Sequence, residues 1–98
     1  MKIVNAYSVN GVCEAFGLAK KSYKSVDLFR LMPVGTIVVV QYNVSEANRL
    51  TDLTSDYGTI VVFRAGNNYS AAIYFATYNN ETKVMSFAAS GDSDWHTL

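Results

Sequence analysis

Few residues of this 98-residue sequence could carry out chemistry, and the two most reactive types occur once each. Cys13 is the only cysteine and His96 is the only histidine. A thiol and an imidazole form a nucleophilic pair when the imidazole lies within hydrogen-bond reach of the sulfur. Because no catalytic signature surrounds either residue, we expect a small buried thiol and a surface imidazole. A single cysteine also excludes an intrachain disulfide and a cysteine-rich metal site.

Two pairs of carboxylates offer acid–base or metal chemistry. They are Asp52 with Asp56 and Asp92 with Asp94, and both pairs lie in stretches rich in Ser, Thr and Gly. The segment 92–94 is similar to the start of a calcium-binding loop, but the remaining oxygen ligands and the closing Glu are missing. Such pairs are most often solvated turn residues. The sequence also lacks a glycine-rich phosphate loop and a serine-nucleophile motif. It therefore predicts a non-enzymatic protein without metal or cofactor, and an enzyme built on Cys13 or His96 is the less favoured alternative.

The composition narrows the class of partner. Half of the residues are hydrophobic, and eight basic side chains balance eight acidic ones, which excludes intrinsic disorder. Nucleic-acid binding is disfavoured because it needs an excess of basic charge; the local cluster of Lys20, Lys21 and Lys24 is expected to be solvated. The apolar runs, among them 37–40, are far too short to span a bilayer. Low charge beside high apolar content predicts self-association.

The N-terminal third is expected to hold a strand and short helices. Extended-structure formers favour a strand over 1–7, and apolar residues at helical spacing indicate helical turns over 9–24, weakened by Gly11 and Gly17. Ser25 is expected to cap a short helix that Pro33 ends.

From residue 34 onward the pattern changes to strands. β-Branched and aromatic runs separated by short turns predict strands over 36–42, 59–64, 69–78 and 83–88, with 45–53 as a helical turn or a loop. The predicted fold is one mainly β domain of the α+β class over 1–98. Segment 1–33 holds the short helices, and segment 34–98 forms an antiparallel meander or a small sandwich.

Both faces of the predicted sheet are apolar. Along one predicted strand, apolar side chains point to both faces: Ala71, Ile73 and Phe75 to one, and Ala72, Tyr74 and Ala76 to the other. One face should therefore pack inside the subunit, and the other should pack against a covering element or a partner. We also expect Trp95 to pin the polar tail to the sheet, since burying an indole removes much apolar area from water.

Tyrosine is the most frequent residue in this sequence that is suited to contact a ligand or partner. It combines a large apolar area with a hydrogen-bonding tip, and interfaces are enriched in it. Most of the seven tyrosines are expected to pack in the core or across strands. The candidate ligand-binding residues lie at the Asn-rich turns and the tail: Tyr69, Tyr78, Asn67, Asn68 and Trp95.

Several short motifs resemble the knob-like C-terminal domain of phage tail fibres and related bacteriocin fibres. They cover about residues 27–98 and are Asp27-Leu28 with Leu31, the segment 33–36 leading into a strand, Tyr57-Gly58 opening 57–62, Ile73-Tyr74-Phe75, 83–87, and the ending Trp95-His96-Thr97-Leu98. The family often carries a second tryptophan where Asp92 and Ser93 stand here, and no fibrous shaft precedes the motifs.

The resemblance implies a receptor-binding fibre tip. Such a protein would be a β-rich homo-oligomer, a trimer in a fibre, located on the virion and attached to a host surface glycan or protein. The alternative is a small phage or bacterial protein-binding module in the cytoplasm that inhibits or regulates a host protein through its sheet face or edge.

Overall fold

A six-stranded sheet with two short helices makes up the fold. The computed structural model describes residues 1–53 and 57–98. The elements are β1 (Lys2–Ala6), α1 (Val9–Phe16), α2 (Ser25–Arg30), β2 (Thr36–Asn43), β3 (Tyr57–Gly66), β4 (Tyr69–Ala76), β5 (Glu81–Phe87) and β6 (His96–Thr97). The strands lie side by side in chain order within one sheet. The prediction of a mainly β protein with short helices in its first third is confirmed.

The sheet is mixed because its first strand runs parallel to the second. β2 to β5 form the predicted antiparallel meander, whereas β1 pairs with β2 in parallel register, with Lys2 opposite Thr36. A parallel pair needs a crossover of a dozen or more residues. The segment between β1 and β2, which contains both helices, supplies it.

The first helix is shorter than the predicted segment 9–24. Ser8 begins α1 by accepting a hydrogen bond at its Oγ from the Gly11 N–H (2.8 Å). Gly17 ends it in the left-handed conformation (φ 66°), and its backbone N–H bonds the Cys13 carbonyl. The interpretation of 18–24 as helix is therefore wrong. A glycine at this position costs little in a left-handed turn, and so it stops a helix rather than merely weakening it.

The second helix is capped differently from the prediction. Ser25 is the first helical residue, and its backbone N–H and hydroxyl donate to Asp52 Oδ1 at 2.9 and 2.7 Å. The cap thus comes from the distant segment 45–53, which forms turns and bends rather than a helix. Pro33 lies beyond the end of α2, as predicted.

Alternation along the strands gives the sheet two distinct faces. The covered face packs against the helices and the tail, and its central cross-strand row is Val38, Val62, Ala72 and Met85. The open face has no element packed on it among the described residues. Three rows of side chains run across its strands. The first is Ile3, Ile37, Phe63, Ala71 and Ser86, and the second is Asn5, Val39, Val61, Ile73, Val84 and His96. The third is Gln41, Thr59, Phe75 and Thr82.

Aromatic side chains fill the covered face. The Phe29 ring lies 6.0 Å from the ring of Phe87 and 5.9 Å from that of Trp95, measured between centroids. The Tyr74 ring lies 6.1 Å from both the Tyr42 and Trp95 rings. Trp95 therefore pins the tail as predicted, and its indole N–H donates to Ser25 Oγ at 2.9 Å.

Candidate ligand-binding groove

An open groove lies where the β3–β4 hairpin meets the segment that follows β5. Its volume is about 610 Å³, within the range of small-molecule sites. One wall is formed by the hairpin, with Asn68 and Tyr69 at its turn, and the other by residues 88–93. Phe63, Ala71 and Ser86 form its floor at one end of the open face.

A buried arginine holds the hairpin wall. The register of β3 and β4 shifts between Arg64 and Gly66, which places Gly66 opposite Tyr69. Arg64 Nη1 donates to Ser70 Oγ (2.7 Å), and that hydroxyl donates to the Gly66 carbonyl (2.8 Å). Arg64 Nε also donates to the Met32 carbonyl at 3.0 Å. Burial, with repulsion from Arg30 as the smaller cause, lowers the pKa of the Arg64 guanidinium from its usual value.

A second arginine holds the opposite wall. Arg30, at the end of α2, donates from Nε to the Ala88 carbonyl (2.9 Å) and from Nη2 to the Gly91 carbonyl. The Ala89 N–H donates to Asn68 Oδ1 at 3.4 Å and joins the two walls. Because side-chain hydrogen bonds from Arg30 and Arg64 hold both walls, we expect the groove to be preorganised before any ligand arrives.

The groove lining combines aromatic surface with neutral polar groups. Tyr69 is 79 % exposed, so its ring is available at the rim. Serine hydroxyls and the Asn68 amide provide donors and acceptors, and Asp92 is the one charged side chain in the lining: Asn68, Ser70, Ser86, Ser90, Asp92 and Ser93. This arrangement can hydrogen-bond an uncharged polar ligand and stack against its apolar side.

The structure brings together three of the five predicted ligand-binding residues. Asn67 and Asn68 form the β3–β4 turn, and Tyr69 begins β4 beside them. Tyr78, 75 % exposed, lies in the β4–β5 turn and is separated from Tyr69 by the length of β4. Trp95 packs into the covered face and donates its N–H to Ser25.

The second wall of the groove was not expected from the sequence. The composition of the tail predicts only turns for this wall, which contains Ser90, Asp92 and Ser93. The spacing of these residues gives no sign that they lie opposite Asn68. Their position depends on Arg30, which is 58 residues from Ala88 along the chain. A long-range contact of this kind has no local sequence signal.

The thiol and the imidazole are not brought together. Cys13 is buried in α1, which packs near β1 and β2. His96 is exposed in β6, at the other edge of the sheet and on its open face. The structure therefore agrees with a buried thiol and a surface imidazole.

The described carboxylates have different contacts, although Asp94, by its hydrogen bond and its charge, and Asp92 and Asp52, by their charge, all raise the pKa of Lys24. Asp52 binds Ser25, Asp94 Oδ1 lies 3.3 Å from Lys24 Nζ, and Asp92 lines the groove. Asp52 was expected to be a solvated turn residue but instead accepts hydrogen bonds from Ser25, and Asp56 lies outside the described residues, so the same expectation for Asp56 stays a prediction. Within residues 1–53 and 57–98 no group of three or more His, Cys, Asp or Glu side chains could hold a metal ion.

The three lysines of the basic cluster are engaged within the chain. Lys20 Nζ lies 2.6 Å from Glu14 Oε1, and Lys24 pairs with Asp94. Hydrogen bonding to Lys20 lowers the pKa of Glu14, and hydrogen bonding to Asp94 raises the pKa of Lys24. Lys21 Nζ lies 5.1 Å from the centroid of the Tyr23 ring.

A second cavity, of about 550 Å³, lies beside the loop after β2. It is lined by Ser22, Val44, Arg49, Leu50, Thr51 and Leu53. Arg49 Nη1 donates to the Val44 carbonyl at 2.6 Å, and this bond fixes the guanidinium to the cavity's own wall. The hairpin groove has an exposed aromatic ring, that of Tyr69, at its rim, whereas the described lining of this cavity contains no aromatic residue, and we take the groove as the candidate site.

Comparison of the chain with models of protein families, with curated proteins and with solved structures gave no match. The resemblance to tail-fibre knobs therefore stays a prediction. Neither helix in the described part of the chain has the length and apolar character needed to cross a membrane.

Proposed function

We propose that this chain is a non-enzymatic recognition module that binds a glycan in the hairpin groove. The observation that carries the proposal is the exposed Tyr69 ring at the rim of a groove lined by hydroxyl and amide groups and by the Asp92 carboxylate. A sugar ring has an apolar face and several hydroxyls. Tyrosine can cover the face, and amide, hydroxyl and carboxylate groups can bond the hydroxyls.

Attachment to a host surface, as the tip of a phage fibre, is the role that we propose for this binding. The groove is built from the tip of a hairpin and from the tail of the chain, and both are surface loops held on a rigid sheet. Loops of this kind carry binding residues in many folds because a scaffold positions them. The separation of Cys13 from His96 supports a binding role over a thiol-dependent reaction.

Titration of the protein with a panel of neutral oligosaccharides, followed by NMR, tests the proposal. Binding should shift the resonances of Asn68, Tyr69 and Asp92, and Tyr69→Ala should weaken the affinity about tenfold or more. Tyr78→Ala is the matched control, because Tyr78 is a tyrosine of nearly equal exposure at the opposite end of β4.

The control variant should keep the affinity of the parent protein. Both tyrosines are exposed, so neither variant should lower the free energy of unfolding by more than about 0.5 kcal/mol. Equal losses of affinity in the two variants, or no saccharide binding anywhere in the panel, would contradict the proposal.

A further inference from the structure

The open face of the sheet carries no charged side chain. Every described Lys, Arg, Asp and Glu lies on the covered face, on a helix or in a loop; Lys2, Arg64, Glu81 and Lys83, although in strands, are on the covered side. Several of the largest apolar side chains on the open face remain in water, Phe75 at 44 % and Phe63 at 37 % exposure. Monomeric proteins rarely leave a continuous apolar surface of this extent open.

Large and small side chains alternate at the centre of the open face. Phe63 lies directly opposite Ala71, and Phe75 lies directly opposite Thr59. Between these two pairs, Val61 lies opposite Ile73. The two phenylalanines therefore occupy one diagonal of a narrow rectangle on β3 and β4, and the two small residues occupy the other diagonal.

This pattern is complementary to itself. Turning a second copy over, about an axis in the plane of the face through the Val61–Ile73 pair, exchanges the two diagonals. Each phenylalanine of one copy then lies over Ala71 or Thr59 of the other. Large side chains opposite small ones are what allow two layers to interdigitate, and a two-fold axis makes the same contacts twice.

We propose that the open face binds a second copy of this chain, giving a two-fold symmetric dimer in which two sheets pack face to face. Aligned sheets pack about 10 Å apart with their strands at about 30°. The tight pairing of Phe63 and Phe75 with the small residues of the other copy forms the centre of the interface. The interface would share Phe63 and Ala71 with the floor of the glycan groove, so this dimer would cover that floor while the two walls lie at its edge.

The area of the open face is sufficient for a stable dimer. Five strands about 4.8 Å apart, with about seven residues each rising about 3.3 Å, give a projected area of roughly 550 Å². Two copies would bury roughly 1,100 Å², just above the ~1,000 Å² expected of a specific interface. The projected figure understates the accessible surface, because side chains make the face uneven.

Charge also favours a second copy over a different protein. An uncharged face offers no electrostatic pattern with which to select a partner of another composition. The formal net charge of the chain is zero, so two copies do not repel each other. Homodimer interfaces are more apolar than those between separately folded partners, as this face is.

Light scattering and sedimentation over a range of concentrations measure the association. We expect a monomer–dimer equilibrium in the parent protein. Ile73→Lys should shift it toward monomer by about tenfold or more, because the dimer would bury an unpaired charge. Tyr78→Lys is the control, since it adds the same charge in the β4–β5 turn, away from the open face.

A second variant separates a specific interface from general adhesion between apolar surfaces. Thr59→Phe enlarges the apolar area but fills one of the two sites that receive a phenylalanine. A specific dimer should weaken, whereas nonspecific association should strengthen. Circular dichroism and thermal unfolding must show that both variants keep the fold.

Three results would overturn the proposal. One is a parent protein that stays monomeric at high concentration, which would leave the face to a different protein. Another is a trimer, and the third is stronger association of Thr59→Phe. A trimer would instead fit the assembly that the resemblance to fibre knobs implies. Saccharide binding is measured on dilute monomeric protein, in which the groove floor is uncovered, so failure of the dimer and failure of the glycan proposal can be told apart.

Discussion

The two faces of the sheet are built from the same strands but differ in what they bury. The covered face holds large aromatic side chains, among them Tyr42 and Tyr74, and even a buried guanidinium, that of Arg64. The polar groups there are hydrogen-bonded to distant parts of the chain, such as Tyr42 to Leu50 and Leu53. The open face has smaller β-branched side chains, two phenylalanines and no charge. Neighbouring residues on one strand therefore have different environments, one inside the subunit and the next on the open face.

This difference shows that hydrophobicity alone does not identify a core. Both faces are apolar, but only the covered face combines full burial with specific polar contacts that fix one arrangement. Buried polar groups are costly unless satisfied, and a satisfied network specifies a unique packing. Among the described residues, the side chains in the three central rows of the open face make no such contact within the chain, as expected of a surface whose partner is another molecule. Variants at adjacent positions on opposite faces test this contrast.

The largest difference should separate Tyr74 from Phe75. The Tyr74 side chain is fully buried against Tyr42 and Trp95, so Tyr74→Ala should lower the free energy of unfolding by about 3–5 kcal/mol. Phe75→Ala, on the open face, should cost about 1 kcal/mol or less. Denaturant unfolding of dilute protein, where dimer formation adds little, measures both values. Similar losses would show that the two faces are equally buried within one subunit.

The next pair is Gly58 and Thr59. A Cβ on Gly58 would run into the Tyr74 ring and the Phe75 carbonyl oxygen. Gly58→Ala should therefore destabilise by about 3 kcal/mol, because neither the ring nor the strand can move freely. Thr59→Ala on the open face should change stability by less than about 0.5 kcal/mol. If Gly58→Ala unfolded at the same denaturant concentration as the parent protein, the close approach of Tyr74 to β3 would be refuted.

The third pair is Tyr42 and Gln41, and it adds a pH dependence. The Tyr42 hydroxyl accepts from the Leu50 N–H at 3.1 Å and lies 3.2 Å from the carbonyls of Leu50 and Leu53, to which it donates. Tyr42→Phe removes the partner of the Leu50 N–H and of the Leu53 carbonyl, whereas the Leu50 carbonyl keeps the Leu53 N–H, and it should cost about 2 kcal/mol at neutral pH. Gln41→Ala, on the open face, should be nearly neutral.

Burial raises the pKa of Tyr42 from its usual value of 10.0 to about 12. The unfolded chain then loses this proton at a lower pH than the folded protein does. The contribution to stability is complete below pH 10 and is lost as the pH rises toward 12. The Phe variant has no such proton, so the stability gap between it and the parent should narrow above pH 10. A gap that stays constant from pH 8 to 12 would contradict the raised pKa.

Local patterns predicted most of the sheet. The meander from β2 to β5 follows from runs of β-branched residues and from turns such as Gly66-Asn67-Asn68. Alternation also predicted that both faces of β4 are apolar. It could not tell which face the helices cover, because Ala72 and Ala71 are equally apolar.

What the sequence did not predict depends on contacts between distant residues. β1 pairs in parallel with β2 across a connection of two helices, and the cap of α2 comes from Asp52 rather than from Ser25 itself. The turn that forms one wall of the groove was predicted, because Asn and Gly indicate a turn. Its other wall was not, because the Arg30 bond to the Ala88 carbonyl leaves no trace in local composition.

The smallest difference concerns the tail, where Trp95 and His96 lie on opposite faces. Trp95→Phe keeps a ring against Phe29 but removes the N–H that donates to Ser25 Oγ, so it should cost about 1 kcal/mol. His96→Ala, on the exposed edge of the open face, should change stability by less than about 0.5 kcal/mol. Amide exchange should show faster opening of β6 only in Trp95→Phe, because this side chain, rather than the two-residue strand, ties the tail to the core. If His96→Ala loosened β6 as much, the strand pairing and not the indole would be the anchor.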